Sequence, residues 1–195
     1  MPAEPELLGL LALMLYMDSR RDARVAPDGS LVPLPEQDRT RWNRAQIAEA
    51  GAALREADRH RAVGPYQLQA HIARIHAPGG DEQVDWPAIV TLYEELERLQ
   101  PSPVIALNRA VAVGFAHGPA AALAVLDSLP HADLGNYGFF HLARANALKE
   151  LGHIDEAVSA YEAAIANTQN SVQERHLRSR IALLGNARCG LPPAR

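Results

Sequence analysis

The chain has 195 residues, 48% of them hydrophobic and only 5% aromatic, with a net charge of −4. That length supports the core of one domain or one continuous stack, and an alanine-rich, aromatic-poor composition suits closely packed helices. The acidic balance and the lack of a basic stripe exclude general nucleic-acid binding, because nothing would displace counterions from phosphates; the single Cys189 excludes an internal disulfide framework and fits a reducing cytoplasm.

Pro5 suits the first turn of a helix, with Glu6 near the positive end of its dipole. Leu7, Leu10, Leu11, Met14 and Leu15 then carry the helix to about Arg21. Its apolar residues lie almost all round, so it is central or covered on a second side by something outside the chain. The run Leu7 to Met17 is shorter than the roughly 20 residues needed to span a bilayer. Glu4 and Glu6 precede it and Arg20-Arg21 follow, the reverse of a signal peptide, so a soluble, cytoplasmic protein without a membrane partner is expected.

Pro27-Asp28-Gly29 predicts a tight loop or small hairpin between Arg24 and Val32, and Pro33 and Pro35 keep the next residues extended. Helix is expected again from Gln37 or Asp38, through Trp42, Ile47, Ala50 and Leu54, to about His60. Gly64-Pro65 opens a shorter helix through Leu68, His71, Ile72 and Ile75, followed by a polar loop at Pro78-Gly79-Gly80-Asp81. Asp85 is placed to cap a helix carrying Ile89, Leu92, Tyr93, Leu96 and Leu99 at 3.6-residue spacing. In Pro101-Ser102-Pro103, Ser102 reads as an N-cap and Pro103 as the first helical residue.

From there a repeat is readable. Gly118 and Gly152 lie 34 residues apart, each between two helical stretches: Val104–Phe115 with Pro119–Leu129, then Tyr137–Leu151 with Ile154–Asn167. That is the period of the tetratricopeptide repeat, whose hairpins bury their apolar faces by stacking. Leu151-Gly152, Glu156-Ala157, Tyr161 and Ala164 occupy the motif's turn, small and aromatic positions, where small residues let helices approach and the aromatic fills the gap to the next repeat. Ser171-Val172-Gln173-Glu174 has the form of a capping box for a last helix to about Leu184. The expected architecture is all-α: an N-terminal helical junction over residues 1–62, a right-handed stack of tetratricopeptide-like hairpins over 63–185, and a flexible tail over 186–195.

Several segments carry a more specific likeness: Pro5-Glu6-Leu7-Leu8-Gly9-Leu10-Leu11, Arg20-Arg21-Asp22-Ala23-Arg24, Gln37-Asp38-Arg39-Thr40-Arg41-Trp42, Gly64-Pro65-Tyr66-Gln67-Leu68-Gln69-Ala70, and Pro101-Ser102-Pro103-Val104 leading to Leu107-Asn108-Arg109-Ala110-Val111. Over roughly residues 3 to 185 the chain resembles the C-terminal extension of a group of extracytoplasmic-function (ECF) sigma factors of bacterial RNA polymerase. In that group the extension follows the promoter-binding regions and carries tetratricopeptide-like repeats. The resemblance implies regulation of transcription initiation through contacts with the sigma-factor core regions and RNA polymerase, in a group that typically lacks an ordinary membrane anti-sigma partner. No basic helix-turn-helix precedes Pro5, so the chain reads as an excised regulatory domain or as a product without the front half. No direct nucleic-acid contact is expected from it.

Partner-binding candidates form two sets. Arg20, Arg21, Asp22 and Arg24 could meet Gln37, Asp38 and Arg39 across the loop, giving a charged surface whose arginines pair bidentately with a partner. The competing reading is an internal salt-bridge network fixing the loop, with Trp42 in the core. Asn108 and Arg109 lie on the first helix of a repeat and could clamp a peptide backbone or terminal carboxylate, or simply bond a neighbouring loop. Gln67, Gln69 and His71 read as interhelical hydrogen-bonders. No HExxH, paired Cys/His spacing, phosphate loop or nucleophile elbow occurs, so neither enzyme activity, metal nor cofactor is expected. The alternative to a sigma-factor domain is a free-standing repeat scaffold binding a peptide or protein in its groove. Exposure of Leu10 or Met14 would favour docking through the first helix, and a homodimer through that helix is a further expected partner.

Overall fold

The structure, a computed structural model, describes residues 4–27, 32–60, 62–77, 84–130 and 134–188. Among them are nine α-helices and no strand: α1 (Pro5–Ser19), α2 (Arg44–Asp58), α3 (Pro65–His76), α4 (Trp86–Leu99), α5 (Pro103–His117), α6 (Pro119–Ser128), α7 (Gly138–Glu150), α8 (Ile154–Ala166) and α9 (Ser171–Arg188). The fold is all-α. It divides into two compact units, Met1–Ile105 and Ala106–Arg195, so the expected junction over 1–62 shares its unit with α3 and α4. No helix among the described residues is long and apolar enough to cross a membrane.

In the first unit α1 packs on α2 and α3, and α3 packs on α4. The shared core is Ala12 and Tyr16 from α1, Ala50 and Leu54 from α2, and Ala70 from α3. Small residues set the spacing: a Cβ on Gly9 would lie 2.7 Å from Gln67 Cγ and 2.8 Å from the Gln67 nitrogen. Glu6 does more than face its own helix dipole. Its carboxylate accepts the N–H groups of Tyr66 (3.1 Å) and Gln67 (3.2 Å), capping α3 from sixty residues away. The preceding Gly64 supplies no side-chain cap, and a Cβ there would overlap the Glu6 carboxylate. Buried Gln67 adds its own amide to Glu6 Oε1 at 3.3 Å and to the Ala62 carbonyl. His71 Nε2 meets Asp58 Oδ1 at 3.0 Å, joining α3 to α2, whereas Gln69 bonds only the Pro65 carbonyl in its own helix.

The helix expected from Gln37 or Asp38 begins at Arg44 instead. Asp38 accepts the Thr40 N–H (2.9 Å) and hydroxyl (2.6 Å), closing the 3₁₀ turn Arg39–Arg41, after which Trp42 is extended with ψ 138°. Asn43 is the true N-cap, accepting from the Ala45 and Gln46 N–H groups at 3.1 and 3.2 Å. On either side of the tight loop or small hairpin expected around Pro27-Asp28-Gly29, the Val32 N–H bonds the Arg24 carbonyl at 2.9 Å. Residues 28–31 and the loop 78–83 lie outside the described residues, as does Cys189.

In the second unit the two glycines behave as their spacing predicts. Gly118 (φ 93°) and Gly152 (φ 79°) take the left-handed conformation that other residues adopt at a cost, and each reverses the chain between two helices. One core joins Ala106, Leu107 and Ala110 of α5, Leu126 of α6 and Phe140 of α7. A second joins Ala145 and Leu148 of α7, Ala157, Tyr161 and Ala164 of α8, and Leu177 of α9. Tyr161 is fully buried and donates its hydroxyl to Asn146 Oδ1 at 2.7 Å, which satisfies its polar tip. The cap of α9 is Asn170, accepting from Val172 (2.9 Å) and Gln173 (3.2 Å), not the Ser171–Glu174 box; Glu174 pairs with Arg178 at 2.8 Å. That helix continues to Arg188, past its expected end near Leu184.

Candidate functional site

Helix α1 is turned inside out. At about 100° per residue, its buried Gly9, Ala12, Tyr16 and Ser19 fall on one side. Leu7, Leu11 and Met14 fall within an arc of roughly 60° on the other, and are 64%, 45% and 61% exposed. Gly9 is inside because α3 crosses too closely there for a side chain, as the Gly9–Gln67 approach shows, whereas Tyr16 fills the core further along. Three large aliphatic side chains are left as a row at i, i+4 and i+7 facing outward, the spacing with which helices engage partners, while Leu13 and Leu15 pack partly against the core. Leu10, the other residue singled out beside Met14, is half-buried.

The first set of partner-binding candidates lies at the C-terminal end of this helix. Arg20 is half-buried, donates to Met17 Sδ at 2.9 Å, and has its pKa lowered by burial and by neighbouring Arg24. Arg21 pairs with Asp18, whose carboxyl also accepts the Gln46 amide at 2.8 Å; that hydrogen bond is the main cause of its lowered pKa. Asp22 and Arg24 are exposed. Buried Gln37 donates to the Val32 carbonyl at 3.0 Å, while its Oε1 and the Trp42 indole N–H have no partner among the described residues. Asp38 is spent on the Thr40 turn, which lowers its pKa, and Arg39 is half-buried.

This arrangement corrects the expected salt-bridge network. Among the described residues Arg21 with Asp18 is the set's one ion pair, and the loop is held by amide and backbone bonds, including the Asn43 N–H on the Ser19 carbonyl at 2.7 Å. Trp42 is in the core, as that reading held. His76 also stands here, edge-on to Trp86 with ring centroids 5.3 Å apart. Burial, then Arg20 and Arg39, push its pKa down to about 4. Arg20 and Arg39 therefore gather at the C-terminal end of α3. The second set is separate: Asn108 is exposed and Arg109 half-buried on α5, in the other compact unit.

Residues 1–58, covering α1, the intervening turns and α2, match a family of unknown function (DUF6596). An uncharacterized protein from Rhizobium meliloti (strain 1021) is 48% identical over 181 residues, spanning 92% of this chain and 43% of that protein. The chain thus spans less than half the length of this relative. No solved structure matches it.

Proposed function

We propose that the chain is a regulatory domain of an ECF-type RNA polymerase sigma factor, controlling transcription initiation by protein–protein contact and carrying out no catalysis. One observation carries this reading: the outward row of Leu7, Leu11 and Met14, on the side of α1 opposite its buried residues. A row of that kind fits an apolar partner surface, and the Arg20, Arg21, Arg24 and Arg39 side chains at its end would select an acidic rim on that partner. The partner is the sigma-factor core, with polymerase beyond it, and the location is cytoplasmic. The relative leaves more than half of its length for such regions. Promoter contact is assigned to no residue of this chain. The hairpins at Gly118 and Gly152, 34 residues apart, support a right-handed tetratricopeptide-like stack as the finer architecture. Docking would act by shifting populations of the promoter-binding regions, with couplings of about 1–3 kcal/mol.

A second reading is a free-standing scaffold, favoured by Asn108 lying exposed with Val111 and Phe115 at i+3 and i+7 on α5. Co-purification separates the two. Sigma-core regions from the same locus, and polymerase, are each presented to the chain at low and high salt. Salt-resistant capture, lost in Met14→Glu and kept in Asn108→Ala, is the expected result. Capture of neither partner sinks docking and leaves the scaffold. Self-association lost in Met14→Glu, measured by light scattering, would make a second copy the occupant of the row.

A further inference from the structure

A cavity of about 350 Å³ lies wholly within the second unit, between residues 136–139 at the start of α7 and residues 167–170 with Gln173 at the start of α9. Its two walls touch through backbone. Gly138 is buried, and a Cβ there would lie 3.0 Å from the Asn167 carbonyl oxygen, a tight contact that would push the walls apart by a few tenths of an ångström. The cavity is therefore set by the fold before any ligand arrives, and its volume sits at the small end of the ~300–1,000 Å³ range of small-molecule sites.

The lining contains no acidic or basic side chain and no histidine. A charged ligand would find no opposite charge in that lining. Five carboxamides line it instead. Part of their capacity is committed: Asn167 Nδ2 donates to the Ala163 carbonyl at 2.9 Å, Asn170 Oδ1 caps α9, and Gln173 Oε1 accepts the Thr168 hydroxyl at 3.1 Å. The Gln173 amine group, and the whole amides of Asn136 and Gln169, have no partner among the described residues. Asn136 and Gln169, both exposed, each offer a donor and an acceptor side by side, the complement of two adjacent hydroxyls. Tyr137 and Phe139 stand together with ring centroids 5.5 Å apart, and Phe139 is 54% exposed, so a flat apolar face borders the amides.

We infer that this cavity binds a neutral saccharide of one or two rings, its hydroxyls on the carboxamides and its C–H face on Phe139. An apolar ligand would strip water from the amides without replacing it. A nucleotide, sugar phosphate or free amino acid would bring charges that nothing in the lining answers. The site would give the domain a small-molecule input. It is independent of the outward row on α1, so either proposal can fail without the other.

The test is titration of the full chain with D-glucose, N-acetyl-D-glucosamine, maltose and trehalose, followed by saturation-transfer NMR and calorimetry. Glucose 6-phosphate, glucuronate and a blocked neutral tripeptide serve as comparisons. Saturable binding of at least one neutral sugar is expected, with Kd on the order of 1 mM or tighter. Phe139→Ala and Gln169→Ala should each weaken it at least about tenfold while leaving the helical circular dichroism and melting unchanged, since exposed substitutions rarely disturb folding. Either variant suffices should the other fail to fold. The proposal is overturned if none of the four sugars saturates by about 10 mM, if both folded variants bind like the parent, or if the charged sugars or the tripeptide bind more tightly.

Discussion

Glu6→Ala should loosen the first unit by an amount the structure allows to be worked out. The carboxylate accepts two backbone N–H groups at the start of α3, at 3.1 and 3.2 Å, and no other side chain caps that end among the described residues. Removing a helix cap costs about 0.5–2 kcal/mol, and losing a negative charge at a helix N-terminus about 0.3–1 kcal/mol. The expected loss is therefore roughly 1–3 kcal/mol. Glu6→Gln keeps an acceptor and loses the charge, so it should cost about 1 kcal/mol. Both tryptophans, Trp42 and Trp86, lie in the first unit, so their fluorescence during urea unfolding reports that unit by itself. Far-UV circular dichroism followed alongside reports all nine helices. A Glu6→Ala loss below about 0.5 kcal/mol in the fluorescence transition, within the range of ordinary surface changes, would refute the clamp.

Gly9→Val should cost about 1–3 kcal/mol in the same fluorescence transition, since the side chain would collide with the Gln67 backbone nitrogen 2.8 Å from the new Cβ. Gly152→Ala meets no atom within 4 Å, yet its φ of 79° should cost about 1–2 kcal/mol, read from circular dichroism melting. Met14→Glu, on an exposed position, should leave stability within about 0.5 kcal/mol while abolishing capture of the sigma core. His76, held neutral with its pKa pushed down to about 4, binds its proton in the unfolded chain first. Stability should therefore be full above the ordinary histidine value and fall as pH drops from about 6.5 towards 4. The loss should be on the order of 2–3 kcal/mol after allowance for solvent screening, and His76→Gln should flatten that part of the urea-midpoint profile.

What could be read without coordinates follows from how local each determinant is. Gly118 and Gly152 were legible because a left-handed turn followed by an N-terminal helix residue demands particular residues at particular places. The start of α2 was misread because Asp38 and Asn43 both have capping side chains, and the apolar spacing through Trp42 is compatible with either. The Thr40 hydroxyl decided it by closing a separate turn on Asp38. Ser171 and Asn170 posed the same choice one residue apart, and Asn170 made the bonds. The Glu6 clamp joins positions sixty residues apart and left no local pattern. The cavity is assembled from two helix starts that each read only as polar turn residues.

The inversion of α1 was half legible. An apolar run of this length hides which side faces in, but Gly9, Ala12 and Ser19 already mark a small-residue side at i, i+3 and i+10. Close crossing then follows, because two helices can approach only where side chains are short. Once that side, with Tyr16 and the partly buried Leu13 and Leu15, is spent on the core, Leu7, Leu11 and Met14 are left facing outward. Each aliphatic side chain fully buried is worth about 1.5–3 kcal/mol, so three residues left roughly half exposed forgo a few kcal/mol that folding alone would have captured. That energy remains available to an apolar partner. It is why a substitution such as Met14→Glu should separate docking from stability, and why an unchanged fold with lost capture would be the informative outcome.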